Sequence, residues 1–130
     1  VSKLISTLPA LPARSNCMQH ALASYLQDPT PYLQLPDFYQ AKRDFFRQGL
    51  ASTRLKPLPS QGSYFQCVDI RAVSDLSEPD FCEWLTREMG VAAIPLSAFY
   101  GDGFDQGVVR FCFAKQEATL AQALERLARL

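Results

Sequence analysis

The segment Val108-Val109-Arg110-Phe111-Cys112-Phe113-Ala114 constrains this chain more than any other. Every residue in it except Arg110 is apolar or small, and a short run of this kind reads as a strand. A guanidinium set into such a strand is costly unless an anion meets it, because a charge taken out of water must be paired. The planar fork of arginine suits two-point contact with a carboxylate. Two structural explanations stand beside a ligand role. One is an internal salt bridge to an acid such as Asp69, and the other is a side chain that reaches water past a strand edge.

The elements around this strand are legible from spacing and punctuation. Asn16 is placed to cap a helix in which Met18, Ala21, Leu22, Tyr25 and Leu26 recur at helical intervals. Asp28-Pro29-Thr30-Pro31 stops it. A second helix is expected from about Pro31 to Leu50, with Pro36 near its start or at a bend. Phe38 with Phe45, and Tyr39 with Phe46, give that helix two aromatic stripes, which predicts contact with two neighbours. Lys56 to Gly62 reads as a turn-rich connector and Ser63 to Ile70 as a strand. Ser77-Glu78-Pro79-Asp80 is a helix start, with a capping serine, a proline in the first turn and acids facing the helix dipole. Phe81, Trp84, Leu85 and Met89 form the stripe expected to be buried, and Gly90 closes the helix. Val91 to Ile94 reads as a strand ended by Pro95. Gly101, Gly103 and Gly107 mark a loop around Phe104, and a last helix from about Gln116 carries Leu120, Leu124 and Leu127 on one face. The order β-α-β-loop-β-α from Ser63 onward predicts an α/β fold, one mixed sheet covered by helices on one side.

Bulk properties exclude several classes of function. Thirteen basic residues balance thirteen acidic ones, which leaves no electrostatic footprint for nucleic acid and no polybasic membrane surface. No apolar run approaches the ~20 residues that span a bilayer, and Val1 to Ala13 lacks the apolar stretch of a secretory signal. A cytoplasmic protein is the expectation. Cys17, Cys67, Cys82 and Cys112 are far apart, and His20 is the only histidine. Neither a metal site nor a cysteine nucleophile is predicted, and the thiols are expected to be reduced and mostly buried.

Several ordered motifs carry a resemblance. They are Gly62-Ser63-Tyr64-Phe65, Phe81-Cys82-Glu83-Trp84-Leu85, and Gly90-Val91-Ala92-Ala93-Ile94-Pro95-Leu96-Ser97-Ala98-Phe99-Tyr100. Arg110 to Lys115, Thr119-Leu120 and Glu125-Arg126-Leu127 follow in order. Together they resemble the C-terminal portion of class I/II pyridoxal phosphate (PLP)-dependent aminotransferases, that is, the small domain of a fold-type I enzyme. Within the family the chain resembles the methionine and kynurenine aminotransferases, and Leu35-Pro36-Asp37-Phe38-Tyr39 and Lys42-Arg43-Asp44 resemble the methionine-preferring branch. The likeness runs from about Asn16 to Leu130.

Residues 1–15 have a weak pattern and read as an irregular segment without a family match, followed by a helical connecting segment over 16–60 and an α/β small domain over 61–130. The resemblance implies that Arg110 holds the α-carboxylate of an amino-acid or 2-oxo-acid substrate, and that Ser97 to Phe104 helps gate the site, although the glycines there read equally well as a plain loop. The Schiff-base lysine of the family lies upstream of these motifs. Lys42, Lys56 and Lys115 read as surface residues, and Lys3, near where the family leaves its large domain, has no cofactor motif around it, so neither a catalytic nor a cofactor-binding residue is assigned. The expectation is an aminotransferase fragment, inactive alone, whose full-length parent uses PLP on methionine or an aromatic amino acid and forms a homo-oligomer. The family's Asn-Thr-Pro signature is replaced here by Leu8 to Cys17, and that abrupt change predicts a frameshift or an alternative start upstream. The competing reading is a free-standing α/β binding module, or a regulatory subunit, in which Arg110 meets a small carboxylate or a partner's acid.

Overall fold

A computed structural model of the chain describes residues 16–130. The expected irregularity of 1–15, and Lys3 with it, lies outside the described residues. The chain divides into two compact units, Val1–Leu35 and Pro36–Leu130.

In the first unit α1 spans Asn16–Tyr25. It has the predicted helical spacing, yet Met18, Leu22 and Tyr25 are all exposed. Asp28 accepts a hydrogen bond from the Thr30 backbone at 2.9 Å at the start of α2 (Thr30–Leu33), and the Thr30 hydroxyl first, then this backbone bond, hold the Asp28 carboxyl below its ordinary range. The single helix expected from Pro31 is therefore two, parted at Gln34, with α3 running over Leu35–Leu50. Pro36 is tolerated at the second position of α3, where a backbone N–H has no intrahelical acceptor to lose.

The second unit is a four-stranded sheet in the order β1-β2-β4-β3, formed by β1 (Lys56–Pro57), β2 (Phe65–Asp69), β3 (Ile94–Pro95) and β4 (Val108–Cys112). The helices α3, α4 (Glu78–Glu88) and α5 (Glu117–Leu127) cover one side of it, as predicted. The mixed sheet expected from the β-α-β order is instead antiparallel at every pairing. The reason is that β4 inserts between the two strands that α4 connects, so these parallel partners never touch. Lys56–Pro57, read as connector, is a short edge strand, and Pro95 is paired at the opposite edge. Both prolines sit on outer strands, where a missing N–H costs least.

Alternation along the strands decides what each face of the sheet carries. Val68, Ile70, Val109, Phe111 and Phe113 enter the core with Phe46 and Leu50 of α3, Phe81 and Leu85 of α4, and Leu120 and Leu127 of α5. Of the two aromatic stripes on α3, Phe46 is buried, Tyr39 and Phe45 pack on the core, and Phe38 is exposed. Trp84, expected in the buried stripe, sits at its margin and is exposed, with its ring 5.8 Å from that of Phe81. Gly90 ends α4 with φ +63°, as its closing role requires, and Arg126 Nη1 donates to its carbonyl at 2.8 Å. The thiols depart from expectation: only Cys82 is buried, Cys67 and Cys112 are half-buried, and Cys17 is exposed, all four being free.

Candidate functional site

The face of the sheet turned away from α3, α4 and α5 carries Arg110. On β4 the alternation that sends Val109 and Phe111 inward turns Arg110 the other way, and register places it opposite Cys67 of β2 and Ile94 of β3. Its guanidinium lies 4.0 Å from the ring centre of Phe65 and 4.1 Å from that of Phe99. Phe65 is its diagonal neighbour on β2. Phe99 comes from a 3₁₀ turn, Leu96–Phe99, that follows β3 directly. Two aromatic faces favour a cation without neutralising it.

No anion does neutralise it. Arg110 has no ion pair among the described residues, and its buried Nε has no hydrogen-bond acceptor. The acid proposed for an internal salt bridge is taken: Asp69 pairs with Arg71 at 2.5 Å, and this pairing holds its carboxyl below the ordinary range. A cleft of about 850 Å³ beside that pair is lined by Asp69, Arg71, Asp75 and Asp105. Its one guanidinium is already matched, and Arg110 does not line it.

A second charge, which sequence reasoning read only as an acid facing a helix dipole, lies deeper. Glu78 at the start of α4 is fully buried. One carboxylate oxygen accepts from the backbone of Ser97 at 2.5 Å, and the other accepts from Gln106 and Val108, each at 2.9 Å. The Glu78 N–H in turn donates to Asp105 at 2.8 Å, while Asp105 also accepts from Gly107 at 2.8 Å. These contacts hold the Asp105 carboxyl below its ordinary range. Burial first, and then the charge of Glu78, push the Cys82 thiol up to about 11. The only signal for Glu78 in the sequence is its place in a helix start; its acceptors' partners lie about twenty and thirty residues away and cannot be read from spacing.

The comparisons with known proteins bear on this arrangement. The family model for aminotransferase class I and II matches residues 1–127, a span that includes the first fifteen residues, where no motif is legible. The chain belongs to the class I and II aminotransferase family. It is 53% identical over 113 residues to methionine aminotransferase of Escherichia coli strain K12, covering 86% of this chain and 29% of that protein. It is 38% identical over 118 residues to human kynurenine–oxoglutarate transaminase 1, covering 79% and 28%. Among solved structures, an Escherichia coli protein with a reported methionine aminotransferase function superposes with TM-score 0.81 at 53% identity, covering 85% of this chain and 29% of the other. N-succinyldiaminopimelate aminotransferase of Mycobacterium tuberculosis gives 0.76 at 34% identity, again over 85% and 29%. The chain thus spans less than a third of the length of these relatives.

Membership of the family implies PLP in the full-length aminotransferase. Such a cofactor needs an amine to form its Schiff base, in surroundings that keep the amine neutral, and donors for its phosphate. The lysines of the described residues do not fit. Lys42 Nζ donates to the Lys115 carbonyl at 2.5 Å and lies 4.9 Å over the Phe38 ring, while Lys56 and Lys115 are exposed. No group of three or more potential metal ligands occurs among the described residues. No helix among them is long and apolar enough to cross a membrane.

Proposed function

We propose that this chain supplies the substrate-carboxylate clamp of a PLP-dependent aminotransferase, with Arg110 binding the α-carboxylate of methionine or an aromatic amino acid and of the 2-oxo acid it becomes. The observation that carries this reading is a stacked guanidinium with an unpaired buried Nε and no acid beside it. Leaving such a donor unsatisfied costs ~1–3 kcal/mol, a cost consistent with a group kept for a ligand. Held against two rings, the fork presents its donors in one orientation, and a bound carboxylate would be fixed relative to the Cα bond where the chemistry occurs. The preference for methionine or aromatic side chains rests on the similarity to the methionine and kynurenine enzymes.

In the same reading the 130 residues alone show neither transaminase activity nor PLP absorption, since no described lysine fits the cofactor. The active form is a homo-oligomer of the full-length protein. The test is Arg110→Met in a full-length aminotransferase carrying this sequence. The affinity for L-methionine should fall on the order of 100-fold, the loss expected for a two-point charged contact. Unchanged affinity for L-methionine would sink the assignment, and transamination by the 130 residues alone would sink the fragment reading.

A further inference from the structure

Glu78 touches neither ring of the clamp, yet its two oxygens hold both strands of backbone that build it. Oε2 accepts from Ser97, two residues before Phe99. Oε1 accepts from Val108, two residues before Arg110, and from Gln106 in the loop leading into β4. Both anchored amides at Ser97 and Val108 are buried, and Glu78 is itself inaccessible to solvent. The 3₁₀ turn that carries Phe99 has no side-chain cap of its own, and Phe99 is 57% exposed. The Ser97 tether is therefore the side-chain contact at the start of this turn, beyond the pairing of β3 with β4 that precedes it.

We infer that Glu78 is a positioning residue that sets the register between Arg110 and its aromatic cover, holding Phe99 over the guanidinium through Ser97 and Arg110 beneath it through Val108. The argument is one of acceptor count. Three backbone N–H groups converge on one carboxylate, and a carboxylate offers acceptors at both oxygens. An amide offers one acceptor and one donor, so glutamine at this position must turn its NH₂ either toward Ser97 or toward Gln106 and Val108. Whichever way it turns, one arm loses its acceptor and the two halves of the clamp come out of step. The inference rests on the carboxylate-clamp reading for its significance but on none of that reading for its geometry.

The test reads the clamp directly, without ligand. In the isotope-labelled chain the Arg110 guanidinium carbon lies 4.0 Å and 4.1 Å from the Phe65 and Phe99 ring centres, so the Nε proton bonded beside it should resonate upfield of the other arginine Nε protons. Phe99→Leu calibrates the share of that displacement owed to Phe99. Glu78→Gln should lose the same share while the resonances of Leu85, Phe113 and Leu127 in the core stay in place, an outcome that a role in general stability does not produce. An Arg110 resonance unmoved by Glu78→Gln overturns the inference. Should that variant not fold, amide exchange in the unaltered chain decides. Ser97, Gln106 and Val108 should exchange slowly, and a Ser97 amide as fast as those of Gly101 and Asp102 overturns it equally. A failure of Arg110 to bind carboxylate leaves the ring displacement intact, so the two ideas fail separately.

Discussion

Glu78 and Arg110 are both ionisable groups set among apolar neighbours, and the fold treats them in opposite ways. Glu78 is sealed beneath the start of α4, with each carboxylate oxygen occupied by backbone donors. Arg110 sits half-buried on the face of the sheet turned away from α3, α4 and α5, with aromatic rings for neighbours and no anion among the described residues. A charge that is fully satisfied within the protein contributes to stability and has nothing left to offer a ligand. A charge left unpaired weakens the fold slightly and stays available. Burial alone does not distinguish them; hydrogen-bond completeness does.

The contrast can be broken most forcefully at Glu78. Glu78→Ala strands three backbone donors, and each buried N–H without an acceptor costs ~1–3 kcal/mol. Urea unfolding should show a loss of about 3 kcal/mol or more, and a loss below about 1 kcal/mol would remove Glu78 from the structural side of the comparison. Arg110→Met should behave differently. It deletes an unsatisfied donor but also the contact of the guanidinium with two rings, worth ~0.5–2 kcal/mol, and these opposing effects should leave the unfolding free energy changed by less than about 1 kcal/mol in either direction. A loss as large as that of Glu78→Ala would show Arg110 to be a structural charge after all.

A smaller effect concerns Asp105, which joins the Glu78 network from outside. Its folded carboxyl titrates below the ordinary range because the Glu78 and Gly107 amides donate to it. A lowered folded value means the contribution is present at neutral pH and is lost as pH falls through that value. Asp105 is largely exposed, so solvent screening keeps the charge-dependent part small. The stability difference between the unaltered chain and Asp105→Asn should be at most about 1 kcal/mol at pH 7 and should shrink below about pH 4. A difference that persists unchanged at lower pH would show that hydrogen-bond geometry, not charge, is what Asp105 provides. Smallest of all is the thiol contrast. With Cys82 pushed up to about 11, iodoacetamide at pH 8 should modify the half-buried Cys67 and Cys112 before Cys82, and mass spectrometry of the labelled peptides would reveal the reverse order.

Much of this was legible before any coordinates, and the exceptions have a common cause. The start of α4 follows from Ser77 and Pro79, and its end from Gly90, because caps and left-handed turns are dictated within a few residues. The strand around Arg110 stands out because a lone charge in an apolar run is a local contradiction. The insertion of β4 between β2 and β3 was hidden, since strand order depends on contacts far apart in sequence. Trp84 and Cys67 were misplaced for the same reason: helical spacing and apolar character predict a face, but only the neighbouring elements decide how wide the covered face is.

By itself, the sequence determined the helices, the strand carrying the guanidinium and membership of the aminotransferase family, because periodicity, caps and motifs are properties of short stretches of chain. Tertiary structure alone decided that Asp69 goes to Arg71 and not to Arg110, that Phe65 and Phe99 close over the guanidinium, and that Glu78 ties the two segments together. Those are choices of partner. A charged or polar group bonds to whichever complementary group the packed backbone brings within about 3 Å, and that distance is set by the fold as a whole.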